Sequence, residues 1–108
     1  MSRVVKINRG FIQLLAQCPH HQLQFLLKTA TPQQVHALVQ IIYNVLTENI
    51  SFTEEEKSKL MPYKNALLNI VQPHIPYKTK KQILVQEGGN FIQDLLTPVI
   101  SSLGLLML

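Results

Sequence analysis

The chain has a single cysteine, Cys18. A lone thiol cannot close an intrachain disulfide, and it cannot supply a cysteine-based metal cluster. A reducing compartment is therefore the default expectation. Charge is sparse too: 15% of the 108 residues are charged against 46% hydrophobic, which excludes a disordered polar chain. The start, Met1-Ser2-Arg3-Val4-Val5-Lys6, lacks the continuous apolar stretch of a secretory leader. No export by a signal peptide is expected. No stretch alternates apolar and polar residues for long enough to argue a strand. There is no internal repeat and no low-complexity segment.

Signatures of chemistry are missing as well. His20 and His21 are adjacent and cannot face one site from a helix, and no pair among the four histidines has the i, i+4 spacing of a helical zinc site. His36 reads as a boundary residue on an apolar helix. Cys18 lies near His20 and His21, but no Gly-rich oxyanion loop or orienting acid accompanies it, so it reads as a buried or half-buried thiol. Glu54, Glu55 and Glu56 read as the start of a capped helix. No phosphate loop or dinucleotide fingerprint is present. The expectation is a non-enzyme with no metal and no cofactor.

What the sequence does contain is helix signals. Phe11, Ile12, Leu14 and Leu15 suit a helix that Cys18-Pro19 interrupts. His20 to Thr29 follows as a second, with Leu23, Leu26 and Leu27 on one face. Thr31-Pro32-Gln33-Gln34 is a strong start: Thr31 caps, Pro32 fits the first helical position and Gln34 closes a capping box. The next apolar face runs through Val35, Leu38, Val39, Ile41, Ile42, Val45 and Leu46, predicting a helix over 32–47 with Asn49 as a stop. Thr53-Glu54-Glu55-Glu56 is a second capping box, its acids suited to the positive end of the helix dipole. Pro62 should kink or split that helix, and Pro73-His74-Ile75-Pro76 should end it. Thr79 to Gln86 reads as a short basic helix stopped by Gly88-Gly89, and residues 1–9 read as frayed. The fold class is all-α: a small bundle of four to six short helices with an apolar C-terminal helix.

Gly88-Gly89 divides the chain. Residues 1–89 form a basic helical domain with ten basic and five acidic groups, +5 overall; 90–108 form an apolar tail whose one charge is Asp94. That asymmetry favours an anionic partner for the first part and an apolar one for the second. Lys57, Lys59 and Lys64 share one helical region, and Tyr77-Lys78-Thr79-Lys80-Lys81 is the densest basic run. These lysines are candidates for nucleic-acid phosphates, with Tyr63 and Tyr77 available for stacking, against the plainer reading of a solvated surface. In the tail, Phe91, Ile92, Leu95, Leu96, Val99, Ile100 and Leu103 form a broad apolar face on a helix. It suits a membrane interface, a groove on a partner, or a last helix folded back onto a small core. At about 19 residues with a Pro, a Gly and an Asp, the tail is marginal for spanning a bilayer. Self-association of the apolar faces into a homo-oligomer is a further expectation.

The order of segments from Leu26 onward carries a resemblance. It runs Leu26-Leu27-Lys28-Thr29-Ala30-Thr31-Pro32-Gln33-Gln34-Val35, then Ile41-Ile42-Tyr43-Asn44-Val45-Leu46 and Asn49-Ile50. A Lys-bearing helix follows, then Lys80-Lys81-Gln82-Ile83-Leu84-Val85-Gln86, the double glycine and a Leu-rich tail. This is similar to small open reading frames of Maverick/Polinton elements and their adenovirus-like virus relatives in animals. The resemblance implies a virion-associated protein, located in the virion or in the host cytoplasm or nucleus. Precursors in such systems are cut by a viral cysteine protease whose sites resemble Met, Ile, Leu, Asn or Gln, then any residue, then Gly-Gly. Gln86-Glu87-Gly88-Gly89 has that form, with cleavage implied after Gly89. The Lys-rich part would then resemble a genome-packaging protein, and the tail a membrane-active peptide or a contact for a capsid protein. The chain departs from the type in being less basic, with Glu54–Glu56 where lysines are expected and Pro62 interrupting that helix.

Overall fold

The computed structural model describes residues 3–103, with side chains to Ser101. Its helices are α1 (Arg3–Ile7), α2 (Arg9–Gln17), α3 (His20–Lys28), α4 (Pro32–Leu46), α5 (Glu54–Leu60), α6 (Lys64–Ile70) and α7 (Tyr77–Leu103). A 3₁₀ turn, Met61–Tyr63, joins α5 to α6. The described residues contain no strand, so the chain is all-α.

Both capping boxes form. Thr31 Oγ1 accepts from the Gln34 amide at 3.2 Å while Gln34 Oε1 accepts from the Thr31 amide at 2.9 Å. Thr53 and Glu56 repeat the exchange at 3.1 and 2.8 Å. Each box satisfies two amides that the helix start leaves orphaned. Pro62 splits its helix as its missing amide requires, and the 3₁₀ turn absorbs the break. The N-terminal residues differ from expectation: Arg3–Ile7 is helical rather than frayed, because Val5 is fully buried and α1 packs against α4.

The double glycine is the main correction. It does not stop a helix. α7 runs unbroken for 27 residues through Gly88, Gly89 and Pro98. The expected short basic helix and separate apolar helix are one element, and the expected division after Gly89 is not visible as a break in the fold. Two interior glycines cost a helix about 1 kcal/mol each. Packing outweighs that cost, because α7 lies against α2, α3, α4, α5 and α6. On α7, residues Leu84, Gly88, Phe91, Ile92, Leu95, Leu96, Val99 and Ile100 are buried, while Gln82, Gln86, Asn90, Asp94, Thr97 and Ser101 form an exposed stripe. α7 is thus the central strut around which the shorter helices wrap. Val5, Ile12, Leu15, Leu23, Leu27, Leu38, Ile41, Ile42 and Ile70 join it in one continuous core.

Gly88 has a specific packing role. A Cβ there would stand 2.7 Å from Leu27 Cδ1 and 3.1 Å from Ile92 Cγ1, so α3 and α7 approach each other over a bare backbone. Gly89 faces open space, where a Cβ would meet nothing within 4 Å. Two cross-links hold α7 in register. Gln93 Nε2 donates to the Leu15 and Cys18 carbonyls at 3.1 and 2.8 Å, satisfying the end of α2. Lys81 Nζ donates to the Ala30 carbonyl at 2.8 Å, just beyond α3.

Candidate functional site

The sequence nominates three groups of residues, and the fold treats them differently. Phe91, Ile92, Leu95, Leu96 and Val99 are fully buried and Ile100 nearly so. The face expected to contact a membrane or partner is therefore occupied by this chain's own core. The side chain of Leu103 and residues 104–108 lie outside the described residues. Of the cleavage motif, Gln86 and Glu87 are exposed, but Gly88 is buried against Leu27, and all four residues are helical. The extended, thin substrate that a protease requires is not presented here.

The lysines fall in two regions, and three of them, Lys57, Lys64 and Lys80, line clefts. Lys57 and Lys64 belong to a cleft of about 530 Å³ between the end of α4, the 47–53 loop, α5 and α6. Lys57 Nζ lies 3.5 Å from Glu48 Oε1 and 3.6 Å from Glu54 Oε1, all on exposed side chains. Lys59 is exposed and lines neither cleft.

Lys80 belongs to a second cleft of about 260 Å³, lined by Pro32, Val35, His36, Val39, Ile75, Tyr77 and Lys80. Here the first turns of α4 and α7 meet. Neither helix carries an acid in its first turn, where the positive end of the dipole favours one. α7 instead begins with Lys78, Lys80 and Lys81. Cations at this end are unfavourable in the free protein, and a bound anion relieves them. Lys78 is exposed, Lys80 half-buried, and His36 lines the cleft beside them. Lys81 is committed to the Ala30 carbonyl, with its ammonium 6.0 Å from the centre of the Tyr77 ring. Tyr77 keeps 37% of its surface open.

The sequence marks His36 only as a boundary residue; its place beside Lys80 depends on α4 and α7 converging, which no local pattern encodes. Gln93 falls on the polar side of the tail in the sequence, yet it anchors α7 to a turn 75 residues away along the chain. Among the described residues no group of three or more His, Cys, Asp or Glu side chains is placed to hold a metal ion. Cys18 is buried, its thiol directed to the Leu15 carbonyl at 3.7 Å. No described helix is long and apolar enough to cross a membrane. No family model, curated protein or solved structure matches the chain.

Proposed function

We propose that the chain is a non-enzymatic structural protein of the virion or mobile-element type its sequence resembles, and that it grips nucleic-acid phosphates at the basic end of α7. The carrying observation is the meeting of two acid-free helix starts with Lys78, Lys80, His36 and the open ring of Tyr77. Backbone dipoles and ammonium groups there attract the same anion. Tyr77 offers a stacking surface beside them. The test is anisotropy of labelled single- and double-stranded DNA between about 50 and 200 mM salt. Affinity should fall steeply with salt, and a Lys78→Gln/Lys80→Gln variant should bind more weakly with a salt slope shallower by about 2. Absent binding at low salt, or binding indifferent to salt, removes this role.

A second reading has its own support in Gln86-Glu87-Gly88-Gly89 near the centre of α7. Two helix-weakening glycines sit at a junction with the form of a protease site, and the apolar stretch beyond them has the composition of a membrane-active peptide. In this reading the tail is stored in the core and acts only after release. Intact protein should then leave liposomes sealed, while a free 90–108 peptide should make them leak dye. A peptide that leaves vesicles intact ends the membrane role.

A further inference from the structure

We propose that the cleft formed by residues 45–67 binds a single-chain amphipathic anion, a fatty carboxylate whose chain lies on the apolar floor and whose head sits between Lys57 and Lys64. This site is separate from the basic end of α7 and does not depend on the role given to it. Its volume, about 530 Å³, falls within the range of small-molecule pockets, about 300–1,000 Å³. The floor is made by Val45, Leu46, Ile50, Phe52, Leu60 and Leu67, and Met61 stands at the edge with 61% of its surface open.

Charge complementarity selects the head group. Lys64 has no carboxylate partner among the described residues. Lys57 is held only by long, exposed contacts to Glu48 and Glu54, which cost little to exchange for a ligand carboxylate. Glu54, Glu55 and Glu56 at the start of α5 repel a polyanion, so a single-headed anion fits better than a nucleic acid. The shape selects the tail. An apolar chain lies against the walls given by the end of α4, the 47–53 loop, α5 and the start of α6.

The end of α4 shapes the rim of the cleft. Glu48 is the one non-glycine residue with positive φ, 60°, among the described residues. It closes α4 where glycine is usual, with the Asn49 amide reaching back to the Asn44 carbonyl at 2.9 Å. A side chain kept at such a position is a cost to folding, and it sets the Glu48 carboxylate beside Lys57 on the cleft rim.

The test is an amide NMR titration of the full chain with monomeric dodecanoate, dodecyltrimethylammonium as the cationic control, and anionic vesicles as a separate arm. Dodecanoate should give saturable shifts centred on residues 45–67. Lys64→Gln should weaken it about tenfold, the loss of one charge-assisted contact. Met61→Glu, a change at an exposed position, should weaken it further by placing a like charge at the cleft edge. The proposal is overturned by shifts centred outside 45–67, by equal binding of the cationic chain, by an unaltered affinity in Lys64→Gln, or by a response to vesicles without one to monomeric dodecanoate.

Discussion

Adjacent residues of the same type do different work in this chain. Gly88 lets α3 and α7 close together, whereas Gly89 meets nothing. Gly89→Ala should therefore gain the helix propensity of alanine, about 1 kcal/mol. Gly88→Ala gains the same but must displace buried Leu27, an overpacking cost of about 1–3 kcal/mol. Urea midpoints should rank Gly89→Ala above both the parent and Gly88→Ala; equal midpoints for the two variants would contradict the packing. The lysines divide in the same way. Lys81→Gln should lose about 1 kcal/mol with its bond to the Ala30 carbonyl, whereas exposed Lys78→Gln should raise stability by about 0.3 kcal/mol as a cation leaves the start of α7. Gln93→Ala leaves two carbonyls at the end of α2 without their donor and should cost about 1–3 kcal/mol, measured by the same denaturation.

Elements are legible in the sequence where their signals are local. Thr31 with Gln34 and Thr53 with Glu56 act within one turn, so the starts of α4 and α5 follow from four residues each. Pro62 breaks its helix through its own missing amide. The expected stop at Gly88-Gly89 does not form because glycine propensity, worth about 1 kcal/mol per residue, is set against burial of a whole helix face. Six buried side chains from Phe91 to Ile100 contribute on the order of 10 kcal/mol or more. That same sum explains why the tail face reads equally well as core or as membrane contact: both need the identical apolar pattern. The basic run at Tyr77–Lys81 is visible as composition. Its cleft is not, since it exists only where the starts of two helices about 45 positions apart meet.

For the molecule as a whole, the consequence is that α7 cannot leave without unfolding the rest. The burial on its C-terminal half matches the entire net stability expected of a small domain, about 5–15 kcal/mol. Substituting Leu95 and Leu96 by Asp would bury two charges in that core and should abolish cooperative unfolding, so such a variant reports on folding before it reports on lipid. Any activity of the buried Phe91–Ile100 face apart from the core thus requires a cut or unfolded chain, while the role proposed for the lysines at the start of α7 requires only the intact fold.

Hydrogen exchange along α7 tests this most directly. With α7 as one core helix, amides from Leu84 to Ile100 should be among the slowest to exchange, opening only with global unfolding, and protection should continue across Gly88 and Gly89. Fast exchange from Asn90 onward, with α3 and α4 still protected, would show a tail detached from the core and would contradict the account.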